Sequence, residues 1–306
     1  MIRARIRKYL RLLEYFFYLG RIDRTVTPHS VQNVGVLVAI NPQSNKFKNW
    51  HDGFTEAIKR LKADFKVTLI FFQEQDSSKL LKELNEHDFI IVKSAWRTSM
   101  DYFLRKNSKQ INPYLGLMIS ASNHRPKEDE QVFYDVVWFE TEWYRKRSVR
   151  HSKAFHAFGI DREVMIPTPE NTHKTYDYIV VGAPRTYKRL GKLLAKNGNR
   201  LLIGDLKNRD RKSEGLLTKL RSDGVIVEDF QGYEKLASKY HVSRICYVPC
   251  KVHGGGERSL LEARSCGLAV EIEEDNPKLQ ELLTSPIWDA DYYSAQLKKG
   301  IESVKK

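Results

Sequence analysis

Hydrophobic residues fall along this chain in blocks of strand length, separated by polar stretches of helical character. NVGVLVAINP (33–42), KVTLIFF (66–72), DFIIVKSA (88–95), YLGLMISA (114–121) and YDVVWFE (134–140) form a first series. YDYIVVGAPR (176–185), RLLIGD (200–205), GVIVEDF (224–230), RICYVPC (244–250) and LAVEIE (268–273) form a second. Amphipathic segments such as HDGFTEAIKRLKADF (51–65) lie between them. Strands alternating with helices predict an α/β protein with a parallel, doubly wound sheet in each half. The polar, turn-rich stretch PTPENTHKT (167–175) marks the junction, giving one domain over 31–168 and another over 176–286. Residues 287–306 follow a Ser-Pro start signal and carry Tyr293, Leu297, Ile301 and Val304 on one helical face. In sheets of this kind ligands bind beyond the carboxyl ends of the strands, so two facing sheets are expected to leave a cleft.

The first 24 residues have another pattern. On a helix, Ile2, Ile6, Tyr9, Leu10, Leu13, Phe16 and Phe17 form one stripe, while Arg3, Arg7, Lys8 and Arg11 face away. A basic amphipathic helix with aromatics on its apolar side suits an anionic membrane surface; docking on the body of the protein gives the same pattern. Arg11 and Glu14 interrupt the uncharged centre that a signal peptide requires.

Composition narrows the class. With 306 residues, 41% hydrophobic and 29% charged, the chain can bury two ordinary cores and is not of disordered type. Its apolar runs are too short for a membrane span. Cys246, Cys250 and Cys266 have no paired-ligand spacing, which argues against a disulfide framework or a zinc site and fits a reducing cytosol. A net charge of +14 favours anionic partners: a phosphorylated ligand, a phospholipid surface or nucleic acid.

The chemistry concentrates between Pro249 and Leu283. Gly254, Gly255 and Gly256 remove every Cβ where a strand turns into a helix starting near Glu257. Backbone N–H groups and the positive end of the helix are thereby offered to phosphate or sugar oxygens. Leu261-Glu262-Ala263 follows inside the helix, and Cys266-Gly267 ends it before a β-branched strand.

This arrangement resembles the nucleotide-sugar site of retaining GT-B glycosyltransferases, the large family that includes many bacterial cell-surface glycan enzymes. Pro249-Cys250 stands for the opening of its donor motif, the three glycines for its turn, and Leu261-Glu262-Ala263 with Cys266-Gly267 for its helix. The resemblance implies that Glu262 binds the ribose hydroxyls of the donor. The family's upstream glutamate falls on Gly254; either Glu257 takes its place or the sugar contact is lost. Glu257 and Arg258, in the helix's first turn, are counted with the donor site. The family's Gly-Arg strand end and following lysine, which hold the donor diphosphate, map onto Gly182 and Lys188; Ala183 occupies the arginine position and Arg185 lies two residues further on. Cations there would stabilise the departing diphosphate.

In the first half, loops after strands carry Asn41 and Gln43, Ser94, Trp96 and Arg97, and Ser122, Asn123 and His124. His124 is the candidate for positioning an acceptor hydroxyl, against the commoner case of an exposed loop histidine. His51, after Trp50, is a weaker candidate still, and the pair His151 and His156 is read as structural. Asp289-Ala290-Asp291 has the form of a metal-binding Asp-x-Asp, but its place in the opening turn of a helix suits the helix dipole instead. There is no Gly-Lys-Ser/Thr phosphate loop and no Gly-x-Ser-x-Gly elbow.

The expectation is therefore a GT-B fold of two Rossmann-like domains, preceded by the amphipathic helix. The activity expected is sugar transfer from a nucleotide-diphosphate donor with retention, and with neither cofactor nor catalytic metal. The acceptor expected is a cell-envelope or lipid-linked glycan, the protein lying in the cytoplasm or peripherally on the inner face of the membrane. Two alternatives stand beside it: a DNA-modifying glycosyltransferase, and a non-catalytic nucleotide-sugar-binding protein of the same fold.

Overall fold

A computed structural model describes residues 24, 26–27, 29–39, 51–72, 77–93, 98–119, 131–207, 210 and 213–304. Residues 1–23 of the proposed N-terminal helix lie outside the described residues, as do Asn41, Gln43, Ser94, Trp96, Arg97, Ser122, Asn123 and His124.

The chain forms two compact units: residues 1–48, 58–157 and 294–306 make one, and 49–57 with 158–293 make the other. The first contains a parallel sheet of β1 (Asn33–Val38), β2 (Lys66–Phe71), β3 (Phe89–Lys93), β4 (Tyr114–Ile119), β5 (Val136–Phe139) and β6 (Ala154–His156), in the order β2-β1-β3-β4-β5-β6. The second contains β7 (Tyr176–Val181), β8 (Arg200–Gly204), β9 (Ile226–Asp229), β10 (Ser243–Val248) and β11 (Ala269–Ile272), in the order β11-β10-β7-β8-β9. Every strand pairing among the described residues is parallel. The inner strands β4 and β5 are buried at every position, as strands covered on both faces must be. The strand β6 was not apparent in the sequence, because its three residues are too few to show a period.

Helices in chain order are α1 (Gly53–Leu61), α2 (Ser77–Asn85), α3 (Thr98–Lys106), α4 (Glu142–Ser148), α5 (Glu214–Ser222), α6 (Tyr233–His241), α7 (Glu257–Ser265), α8 (Pro277–Thr284) and α9 (Ala290–Ser303). Local chemistry starts and stops them. Asp52 and Thr55 cap α1 reciprocally: each side chain accepts the other's backbone N–H, at 3.1 and 2.8 Å. Asn276 caps α8, with Pro277 in the first turn. Gly267, at φ 80°, follows the end of α7.

The sequence predicts a helix after β7, but the structure has two short 3-10 turns instead, Thr186–Lys188 and Leu190–Ala195. Arg189, in left-handed backbone at φ 51°, separates them and breaks the i to i+4 ladder. Leu190 and Leu193 are both buried at a spacing of three, which suits the tighter turn.

The chain changes unit between Ala157 and Phe158, ahead of the polar stretch 167–175. Phe158, Ile160 and Met165 are buried in the second unit's core. Polar bonds stitch the same segment to the end of α7: the Ser265 hydroxyl donates to Met165 O, and Thr168 N–H to Cys266 O at 3.0 Å. A short piece from the first half also belongs to this unit. Within it, a Cβ on Gly53 would lie 2.0 Å from Gly159 O, and Phe54 tilts against Tyr293 at 5.9 Å.

The predicted face of the last helix is buried: Tyr293, Leu297, Ile301 and Val304 all lie in the core. Asp289 caps this helix by accepting from Tyr292 N–H at 2.9 Å. In the first unit the Trp138 indole lies between Gly116 and Gly300 and donates to Gln296 O at 3.0 Å. A Cβ on Gly300 would come within 2.6 Å of that fully buried ring. Helix propensity favours Gly300→Ala by about 1 kcal/mol, whereas overpacking a rigid ring costs about 1–3 kcal/mol. Net destabilisation is expected, read as a lower urea midpoint; an unchanged or raised midpoint would show that the indole yields freely.

Candidate functional site

In the second sheet the chain runs outward from β7 through β8 to β9, then returns to place β10 on the other side of β7. The loops leaving β7 and β10 therefore diverge from neighbouring strands, which opens a crevice at their carboxyl ends. Both glycine-containing stretches singled out in the sequence sit there. Gly182, at φ 153°, ends β7, and an added Cβ would lie 3.4 Å from Lys188 Cε and 3.6 Å from its Nζ. Lys188 thus folds back over bare backbone. Burial raises the pKa of the Cys250 thiol, just beyond β10, and the Lys188 ammonium opposes that rise.

Backbone contacts lock the rim. Lys251 N–H donates to Tyr187 O at 2.9 Å, joining the two loops. Thr186 donates to the Asp210 carboxylate from its N–H at 2.7 Å and its hydroxyl at 2.8 Å, tying in the loop after β8. Ser213 adds its own hydroxyl and N–H, and together these bonds hold Asp210 well below the usual carboxylate range.

The glycine turn is sterically required. A Cβ on Gly254 would meet Tyr187 O at 2.8 Å and Lys251 O at 2.9 Å. One on Gly256 would meet Val248 Cγ1 at 2.7 Å, and Gly255 and Gly256 both have left-handed backbone, at φ 76° and 106°. Gly256 is the N-cap of α7 and supplies no side-chain hydrogen bond to it. The first turn of α7 thus receives no cap from Gly256, and it begins just beyond the carboxyl end of β10, beside the loop that carries Lys188. Arg185 opens the 3-10 turn, its carbonyl accepting Lys188 N–H at 2.8 Å.

Glu257, expected at the donor site, is buried in an ion pair with Lys278 of α8, which is itself fully buried. Glu262 and Arg258 belong to a second cluster. The Arg258 guanidinium pairs with Asp52, lies 3.6 Å from Glu262 Oε1, and sits 5.6 Å from the centre of the Tyr233 ring. Tyr240 donates to Glu262 Oε2 at 3.4 Å. Only 4% of the Glu262 side chain is exposed. Burial, with Asp52 and Asp161 adding to it, pushes its carboxyl up to about 7, against the opposing pull of Arg258 and Tyr240.

Asp52, Asp161, Tyr233, Tyr240 and Lys278 escaped the sequence reading. They come from distant segments whose local patterns announce only helices and turns. The histidines read as structural have structural partners: His151 bonds to Lys153 O at 3.0 Å and Tyr134 O at 2.9 Å, and His156 to Glu140 O at 3.2 Å. Burial lowers the His156 pKa and favours its neutral form. His51 is exposed.

No protein-family pattern and no curated protein matches this chain in sequence. Solved structures do match in fold. AviGT4, a glycosyltransferase involved in avilamycin A biosynthesis, aligns with a TM-score of 0.57 at 11% identity, over 90% of this chain and 91% of its own. Sucrose-phosphate synthase from Thermosynechococcus elongatus gives 0.57 at 12% identity, over 90% and 95%. HepE from Anabaena, in complex with UDP and glucose, gives 0.55 at 12% identity, over 90% and 97%. The chain shares the GT-B fold of these proteins. At such identities the likeness concerns the path of the backbone and not the chemistry.

The buried Glu262 yields a pH prediction. Its folded pKa lies above the unfolded value, so the folded state binds the extra proton, and the associated stability is lost as pH rises from about 4.5 to about 7. Over that window wild type should lose on the order of 3 kcal/mol relative to Glu262→Gln, measured by denaturant unfolding at a series of pH values. Parallel curves for the two proteins would mean that Glu262 is not desolvated.

Proposed function

We propose that this chain is a glycosyltransferase using a nucleoside-diphosphate sugar. The observation that carries the reading is the meeting of Lys188 and the α7 N-terminus at the carboxyl ends of β7 and β10. A diphosphate placed there would accept hydrogen bonds from the first-turn N–H groups and charge stabilisation from Lys188, with Arg185 close in sequence. The crystallised HepE complexes with UDP, and with UDP and glucose, support uridine nucleotides as the first donors to try.

In the reaction the bond from the anomeric carbon to the diphosphate oxygen breaks. The acceptor oxygen bonds to that carbon, and the acceptor's proton passes to the departing diphosphate. Retention and independence of metal follow the family that the sequence motif resembles. Glu262 keeps the ribose role implied by that motif. The basic amphipathic pattern of the first residues supports an envelope or lipid-linked glycan acceptor at an anionic membrane surface. Among the described residues no helix is long and apolar enough to cross a membrane. The charge of +14 supports a second acceptor class, DNA.

Thermal denaturation with UDP, GDP, ADP, TDP and their sugar conjugates tests the donor reading. A ligand at a hundred times its Kd should stabilise the fold by about 2.7 kcal/mol, visible as a raised Tm. Absence of a shift with all of them would overturn the proposal. Once a donor is found, Lys188→Met should lower kcat on the order of a hundredfold, with a smaller effect on donor affinity. An unaltered rate would remove Lys188 from the chemistry.

A further inference from the structure

Glu257 and Lys278 form a buried ion pair directly behind the glycine turn. Glu257 is the first residue of α7 and 3% exposed; Lys278 is the second residue of α8 and 0% exposed. Glu257 Oε1 meets Lys278 Nζ directly. The start of α8 is fixed against the same loop, because Asn276 Nδ2 donates to Cys250 O at 2.8 Å while its Oδ1 accepts from Leu279 N–H at 3.3 Å. A Cβ on Gly256 would lie 3.2 Å from the Cys250 sulfur, and the charges of Lys188, Glu257 and Lys278 all reach that thiol.

This placement poses an electrostatic problem. A carboxylate in the first turn favours its own helix but repels any anion that approaches the same N–H groups. A buried carboxylate also needs a partner, since desolvation without one is severely unfavourable. Lys278 meets both needs. With it the group Lys188, Glu257 and Lys278 carries one net positive charge; without it the charge of Glu257 would cancel that of Lys188.

We propose that Lys278 is a charge-compensating positioning residue of the nucleotide site: it pairs with the Glu257 carboxylate and offsets its charge, leaving Lys188 and the α7 N-terminus to the diphosphate. Glu257 is then a buried counter-ion and not a contact to the donor sugar. This inference rests on the donor reading given above.

Charge logic supplies the test. The probe is whichever of UDP, GDP, ADP and TDP binds wild type, with its own nucleoside as control, titrated calorimetrically against the full chain. Lys278→Met should weaken the diphosphate about tenfold or more and leave the nucleoside unchanged. Glu257→Gln should bind the diphosphate as well as wild type or better. The double variant, which replaces the pair by neutral groups of similar size, should return to within about threefold of wild type. If Lys278→Met does not fold, Glu257→Gln and the double variant decide. Weakened binding in Glu257→Gln, a double variant that fails to recover, or a folded Lys278→Met with wild-type affinity would each overturn the proposal. A wild-type chain that binds none of the four diphosphates fails the donor reading itself, and this inference with it; loss of the compensation pattern alone leaves the donor reading standing.

Discussion

Parallel pairing of β7 with β10 is the constraint on which the candidate site depends. Parallel strands cannot be joined by a tight turn, so each crossover returns the chain to the same edge, and all carboxyl ends gather on one side of the sheet. Where the strand order reverses, the loops from two adjacent strands depart in opposite directions. Gly182 with Lys188 and the Gly254–Gly256 turn, more than sixty positions apart in sequence, face one another for that reason. The bond from Lys251 N–H to Tyr187 O then ties the loops together. Without the β7–β10 register the two glycine stretches would be unrelated turns.

The second unit places several charges where water is excluded, each with a partner. Glu257 has Lys278, and Glu262 shares Arg258 with Asp52. Buried pairs of this kind seldom add stability over apolar packing, but breaking one leaves an uncompensated charge. Around the 3-10 segment a different arrangement holds. Arg189 forks onto Asp275 at 2.8 and 2.5 Å, and Lys192 and Lys196 pair with Glu273 and Glu271. Each pair is partly open to solvent and therefore sets direction more than stability. They orient the segment that carries Lys188 toward the edge formed by β11.

Much of the architecture was legible because strand-length apolar blocks and helical polar stretches leave strong periods. The ten predicted strand blocks all carry strands, and the fold class followed from their alternation. The glycine turn, the start of α7 at Glu257 and its end at Cys266-Gly267 were also readable, since they rest on backbone chemistry that only certain residues allow. The helix expected after β7 was not, because left-handed Arg189 is a non-glycine residue held by a distant partner, Asp275. Nor was the change of unit at Phe158, which depends on which core buries Phe158, Ile160 and Met165 and not on local polarity.

By itself the sequence determined which residues can turn, cap or offer N–H groups, because those properties reside in one residue and its immediate neighbours. It marked Gly182, Lys188, Gly254, Gly255, Gly256 and Glu262 on such grounds, together with a family motif. Only the tertiary structure decided what each charge faces. It turned Glu257 toward Lys278, set Arg258 between Asp52 and Glu262, and buried Glu262 beneath Tyr240. Asp52 and Glu262 are separated by more than two hundred residues. Electrostatic energy depends on distance through space and on the exclusion of water, and neither is a function of position along the chain.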